Sequence, residues 1–113
     1  MLKPFQNFLV GINKMSRDNI IMEEVKDLLA ELVKRAPGRA IEVRIPPYAA
    51  VQCGAGPTHT RGTPPNVVEM SAETWLALAT GKITWQVAMS NGEISASGVR
   101  ADLSEYLPIR IAK

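Results

Sequence analysis

The residues best suited to chemistry lie in a Gly- and Pro-rich segment with no carboxylate between Ile45 and Glu69. Gly54 and Gly56 free the backbone there to turn amide groups inward, an arrangement that binds anions. Arg61 could hold a carboxylate or a phosphate through two parallel hydrogen bonds. The sequence therefore predicts a site for an acidic ligand group, to which the other polar side chains of the segment contribute: Gln52, Thr58, His59, Thr60, Thr63 and Asn66.

The same segment has a purely structural interpretation. Arg61 would then pair with Glu69 or Glu42, and the Thr and Asn side chains would stabilise turns. Both interpretations stay open at this point.

A catalytic interpretation centres on His59, the sole histidine, and on Cys53, the sole cysteine. Histidine titrates near neutrality and suits a general base, although a single His in a polar loop more often only forms hydrogen bonds. Cys53 lies six residues earlier and could be a nucleophile, but its position on a predicted strand favours a small buried hydrophobe.

One His and one Cys do not make a zinc site, even with Asp102 and Glu105. Since neither standard phosphate-loop spacing occurs, we assign no catalytic residue, metal or cofactor.

Composition and charge limit the class of protein. The 113 residues fit one domain, and the 13 basic and 11 acidic residues give a net charge of +2. Basic and acidic residues alternate along the helical region instead of forming a basic face, so we expect no nucleic-acid partner. No apolar run approaches the roughly 20 residues of a membrane span, and Gln6 and Asn7 interrupt any signal-peptide core. A single cysteine fits a reducing compartment, and the sequence predicts a cytoplasmic protein without stable membrane insertion.

The clearest predicted element is a helix with an apolar stripe at Ile21, Val25, Leu28 and Leu32. Ser16 or Asp18 is predicted to cap its start, and residues 37–38 end it. Residues 1–15 are interpreted as an N-terminal arm that folds back on the domain, forms a homodimer or lies weakly on a membrane surface. The domain itself is predicted to span residues 16–113.

Four strands and two short helices follow the first helix. Strict alternation predicts a half-buried strand over 40–45, and further strands are predicted over 48–53, 66–70 and 93–97. Ser71 and Thr84 are predicted to cap two helices, and residues 102–107 a final turn or short helix. Because these elements are grouped and do not alternate, they predict an α+β fold with helices on one face of a mixed or antiparallel sheet.

The helical pair carries large apolar side chains, Met70, Trp75, Trp85 and Met89. They either line a cavity for a lipid-like molecule or pack the core. Tyr48 and Tyr106 could cap the mouth of such a cavity.

Several of these strings resemble a known family. Trp75, Leu78-Ala-Thr-Gly81, Trp85-Gln-Val-Ala88, Asn91-Gly-Glu-Ile94, Ser97-Gly98 and Leu103 resemble the C-terminal half of sterol carrier protein domains. The runs Ile41–Tyr48, Val51–Cys53 and His59–Glu69 resemble an actinobacterial branch of that superfamily. The resemblance covers residues 39–108 and implies a five-stranded sheet covered on one face by helices, with a lipophilic ligand between the layers.

The resemblance also implies a range of functions. Relatives bind sterols, fatty acyl chains or acyl-CoA, and a related domain forms the C-terminal part of mycothiol-dependent maleylpyruvate isomerases. This chain differs from the animal carriers in its low aromatic content of 5% and in its many alanines.

We therefore predict non-catalytic binding of a small amphipathic or lipid-like ligand, such as an acyl chain or acyl-CoA. Its tail would lie between helices and sheet near Trp75, Trp85 and Met89, and its head near Arg61 and His59. Two alternatives are an accessory or free-standing domain of a thiol-dependent isomerase-type enzyme, and a protein-interaction domain without a ligand.

Overall fold

The computed structural model describes residues 2–57 and 65–111, with side chains described from Arg17 onward. Its elements follow the predicted α+β order. Three helices, α1 to α3, span Leu2–Arg35, Ala72–Ala79 and Trp85–Ser90. Four strands, β1 to β4, span Ile41–Ile45, Ala49–Cys53, Val67–Met70 and Ile94–Ser97, and a short 3-10 helix spans Ser104–Tyr106.

The first helix is longer than the sequence predicts. It runs without a break from Leu2 to Arg35, so the predicted caps at Ser16 and Asp18 are wrong, as is an arm that folds back on the domain. Proline is tolerated in the first turn of a helix, which is where Pro4 lies, and nothing between residues 12 and 35 breaks the helix. The division into an arm over 1–15 and a domain over 16–113 stays a prediction.

The predicted apolar stripe of α1 is confirmed. Val25, Leu28, Leu29 and Leu32 are all at most 1% exposed, and Ile21 and Val33 pack at the edge of the same cluster. This stripe packs against α2 and β2. The long helix therefore contributes its C-terminal half to the core.

The sheet is mixed and has the strand order β2-β1-β3-β4. β1 pairs antiparallel with β2 and parallel with β3, and β3 pairs antiparallel with β4. Within the described residues it has four strands, so the five implied by the resemblance are one too many. The four that form correspond to the four strands predicted from the sequence.

Helices cover one face of the sheet. Ile41, Val43 and Ile45 of β1 point into the core and are at most 5% exposed. Glu42 and Arg44 lie on the opposite face, where they form an ion pair with each other. The alternation in the sequence thus identified correctly which face of β1 is buried.

The two short helices begin where the sequence predicts. The Ser71 hydroxyl accepts a hydrogen bond from the Thr74 backbone N–H at 3.1 Å, and the Thr84 hydroxyl accepts one from Val87 at 3.2 Å. Each cap satisfies a backbone donor that would otherwise lack a partner at the helix start. Among the described helices, none is long and apolar enough to cross a membrane.

Candidate functional site

An apolar cleft opens at the edge of the helical layer, between the α2–α3 turn and the 3-10 helix. Its volume is about 220 Å³. Two local features shape it: Thr84 caps α3 and so fixes the start of the helix at Trp85, and Gly81 adopts a φ of +81° that turns the chain after α2. We call this the apolar cleft, and its lining residues are Leu78, Gly81, Ile83, Thr84, Trp85, Gln86, Ser104, Leu107 and Pro108.

A second cleft borders the first. It has a volume of about 270 Å³ and lies where the start of β1 and the end of β2 meet the chain after β4. Ser104 borders both clefts. We call this one the polar cleft, and it is lined by Ile41, Gly54, Ala55, Val99, Arg100, Asp102, Ser104, Glu105 and Tyr106.

The polar cleft carries charges of both signs. Arg100 faces it together with Asp102 and Glu105, and Asp102 also accepts a hydrogen bond from the Ser104 backbone N–H at 2.8 Å. Burial, and to a smaller extent the charge of Glu105, raises the pKa of Tyr106 above its ordinary value. The Tyr106 hydroxyl therefore keeps its proton at neutral pH and can donate a hydrogen bond.

Asn66 ties together the backbone beside the polar cleft. Its side-chain amide donates to the Ala40 carbonyl at 2.8 Å and accepts from the Arg100 backbone N–H at 2.9 Å. Its backbone carbonyl accepts from the Glu42 backbone N–H at 2.9 Å. Asn66 is 4% exposed, and its bond to Ala40 is buried, whereas its bond to Arg100 is only partly buried. The contacts agree with the interpretation in which Asn66 stabilises the backbone, and a direct role in ligand binding stays a prediction.

A glycine makes this junction possible. Gly98 has a φ of +107°, and a Cβ built on it would lie 2.2 Å from the Pro65 carbonyl oxygen and 2.4 Å from the Asn66 side-chain oxygen. Any residue with a Cβ at position 98 would force the backbone at Pro65 and Asn66 to move. The junction therefore fixes the position of Arg100, two residues after Gly98, at the polar cleft.

The structure describes only some of the residues predicted for the anion site. Five of them lie outside the described residues: Thr58, His59, Thr60, Arg61 and Thr63. Gln52 lies on β2 and accepts a hydrogen bond from the Arg39 side chain at 2.8 Å. Glu42, one of the two carboxylates considered as a partner for Arg61, pairs with Arg44. The anion site around Arg61 and His59 thus stays a prediction.

The predicted apolar set divides between core and surface. Trp75 is fully buried, and its indole N–H donates to the Val25 carbonyl at 3.3 Å; Met70 is buried as well. Trp85 is 6% exposed and lines the apolar cleft, whereas Met89 is 41% exposed on α3. Of this set, Trp85 is therefore the member placed at the cleft.

Cys53 is a buried thiol. It is 0% exposed, and burial raises its pKa to about 11 from 9.0. A protonated, inaccessible thiol is a poor nucleophile, which agrees with the interpretation of Cys53 as a small buried hydrophobe. Elsewhere in the described residues, no three His, Cys, Asp or Glu side chains converge on a point that could hold a metal ion.

One part of the cleft was not anticipated from the sequence. The chain after the 3-10 helix, residues 107–111, crosses the C-terminal ends of α1 and α2, and its Leu107 and Pro108 line the apolar cleft. We call these residues the C-terminal strap. Arg35 holds the strap by donating to the carbonyls of Pro108 at 2.9 Å and Ile109 at 2.5 Å. The sequence gives no sign of this contact, because Arg35 fits equally well as a basic residue in the last turn of a helix.

Comparison with known proteins identifies one family. A family model described as "Bacterial SCP ortholog" matches residues 16–109, which is most of the chain. No curated protein matches the sequence. The match agrees with the fold and with the resemblance noted in the sequence, while the actinobacterial branch and the link to the isomerases stay predictions.

Proposed function

This chain belongs to the family of bacterial sterol carrier protein orthologs, and from that premise we propose that it binds a small amphipathic ligand of the acyl type without transforming it. The observation that carries the proposal is the adjacency of the two clefts. One is lined mainly by apolar side chains, the other includes the charged side chains of Arg100, Asp102 and Glu105, and they meet at Ser104. A molecule with an apolar tail and a polar head would match this division.

The size of the apolar cleft limits the ligand. Small-molecule pockets usually have volumes of roughly 300–1,000 Å³, and this cleft has about 220 Å³. The space between helices and sheet is filled by side chains less than 2% exposed, among them Trp75, Leu28 and Leu103. We therefore propose a short or partly covered acyl chain at the edge of the layers, in place of a sterol held deep between them.

The charges of the polar cleft favour one kind of head group. Arg100 forms no ion pair with any Asp or Glu, all eleven of which lie in the described part of the chain. Its guanidinium is therefore available to a carboxylate or phosphate, and Tyr106 offers a further donor. Asp102 and Glu105 would repel a simple fatty-acid carboxylate but would accept hydrogen bonds from amide groups. An acyl thioester that carries both amides and phosphates, such as an acyl-CoA, can place its amides beside these carboxylates and its phosphates beside Arg100, whereas a free fatty acid has no amide donors.

Arg61 and His59 follow Pro57 closely in the chain, and we propose that they add positive charge and donors for the phosphates of the same head group. The cytoplasmic location and the absence of catalysis belong to the proposal as well.

The test is a titration with dodecanoyl-CoA and dodecanoic acid, followed by tryptophan fluorescence. Trp85 lines the apolar cleft, so binding should change its emission, and the change should disappear in Trp85→Phe. Ser104→Phe should weaken binding at least about tenfold, since a phenyl ring at the border of both clefts takes ligand volume.

Ser95→Phe is the matched control, because Ser95 is exposed on the sheet face opposite the helices. It should bind like the wild type. Saturable binding that Ser104→Phe and Ser95→Phe weaken equally would contradict the assignment of the cleft. No saturable binding of either probe would contradict the proposed function.

A further inference from the structure

Polar contacts connect the C-terminal strap to the ends of two helices. The Ile109 and Arg110 N–H groups both donate to the Ala79 carbonyl at 2.8 Å. Arg35 donates to two carbonyls of the strap, and Arg110 forms an ion pair with Glu31 at 2.6 Å. All of these partners lie at the C-terminal ends of α1 and α2.

Two of the five strap residues supply its apolar packing: Ile109 belongs to the buried core cluster, and Leu107 packs against it. Ile109 is buried at 4% exposure and Leu107 is partly buried, but Pro108 and Arg110 are exposed and Ile111 is 74% exposed. The Arg110 and Glu31 side chains are 57% and 39% exposed, so solvent screens their attraction. A segment with few buried apolar contacts and exposed hydrogen bonds opens more easily than the core.

The strap is also one wall of the apolar cleft. Leu107 and Pro108 line it together with Trp85 and Leu78, and Pro108 lies 3.5 Å from the point where Gly81 would carry a Cβ. Moving the strap away from α1 and α2 would widen the cleft without disturbing the sheet. The cleft is smaller than common ligand pockets, so entry of an acyl chain is easier when this wall moves.

We propose that Arg35 is a positioning residue for the ligand site: it holds the strap closed over the apolar cleft, and release of the strap from Arg35 admits and discharges the ligand. This inference rests on the proposed function. It adds the element that controls access and the residue that sets how often the cleft opens.

The experiment measures the strap and the ligand separately. Hydrogen exchange of the Ile109 and Arg110 amides, both bonded to Ala79, reports opening of the strap without any ligand. In Arg35→Met these two amides should exchange at least about tenfold faster, because two hydrogen bonds from a charged donor are lost. The amides of β1 and β3 should exchange at their wild-type rate.

Stopped-flow measurement of the dissociation rate of dodecanoyl-CoA reports whether opening of the strap releases the ligand. The rate should rise in Arg35→Met in step with the exchange rate. Lys34→Met is the matched control, since Lys34 is exposed on the same helical turn and loses the same charge; both rates should stay at the wild-type value. Arg110→Met, which removes the other side-chain attachment of the strap, should raise both rates by a smaller factor and serves if Arg35→Met does not fold.

Three results would overturn the inference. Unchanged exchange of Ile109 and Arg110 in Arg35→Met would show that Arg35 does not hold the strap. Faster exchange with an unchanged dissociation rate would show that the strap does not control the cleft. Absence of dodecanoyl-CoA binding in the wild type would refute the proposed function and the gate with it, whatever the exchange rates are.

Discussion

Replacing Asn66 with alanine is expected to lower the free energy of unfolding by about 1.5–4.5 kcal/mol. The change removes the donor to the Ala40 carbonyl and the acceptor for the Arg100 N–H. Ala40 is 1% exposed, so its carbonyl would be left buried without this hydrogen-bond partner. An unsatisfied buried polar group costs about 1–3 kcal/mol. The bond to Arg100 is only partly buried, so water can replace it in part, at a cost of about 0.5–1.5 kcal/mol.

The assay is equilibrium unfolding in urea, followed by the fluorescence of the fully buried Trp75. Asn91→Ala is the matched control, because the Asn91 side chain makes an exposed hydrogen bond to Glu93. It should change the free energy of unfolding by less than about 0.5 kcal/mol. Equal stability of the two variants would refute the account of the junction at Asn66.

Asn66→Asp tests the direction of the hydrogen bonds. A carboxylate can still accept from the Arg100 N–H, but it faces the Ala40 carbonyl without a proton to donate. Burial and this carbonyl should raise the pKa of the introduced carboxyl above its ordinary value of about 3.9. Because the folded state then binds the proton more tightly than the unfolded state, the stability deficit relative to wild type should be smallest below about pH 3.9. It should grow as the pH rises from there to the raised pKa, and stay constant above it. A deficit that does not change between pH 4 and pH 8 would contradict the assigned orientation of the side-chain amide.

Two further predictions follow from single positions. Gly98→Ala should lower the midpoint of thermal unfolding much more than Gly92→Ala. Both glycines have positive φ, but only a Cβ at Gly98 meets neighbouring atoms within 4 Å. Equal effects would contradict the close approach of Gly98 to Pro65. Because burial raises the pKa of Cys53 to about 11 from 9.0, the folded state disfavours its thiolate, so the stability of wild type relative to Cys53→Ala should fall as the pH rises from about 9 to about 11. A relative stability independent of pH over that range, measured by urea unfolding, would contradict the burial of the thiol.

Much of the fold could be predicted because its signals are local. The stripe from Val25 to Leu32, the alternation in β1 and the caps at Ser71 and Thr84 each depend on residues within one or two turns of one another. The start of α1 was missed because Ser16 and Asp18 are good caps in isolation, yet the residues before them also form helix. A cap sequence predicts a helix start only where the preceding chain leaves the helix.

The candidate site was predictable only in part, because its contacts join distant parts of the chain. Arg35 reaches Ile109 across 74 residues, and Asn66 bonds to Arg100 across 34. Nothing in the local sequence distinguishes a Trp that lines a cleft from one that packs the core, and Trp75 and Trp85 differ in this respect only in the folded protein. Arg100 was not singled out either, since its proposed role rests on its position at the polar cleft, which depends on the folded chain.

The most direct test of the account is native mass spectrometry of the purified protein, repeated after solvent extraction. We expect a stoichiometric acyl compound, present in the wild type and in Ser95→Phe but lost or reduced in Ser104→Phe. A wild-type protein that is purified empty and takes up neither dodecanoyl-CoA nor dodecanoic acid would contradict the account. In that case a role in protein interaction, or as an accessory domain of a thiol-dependent enzyme, would take its place.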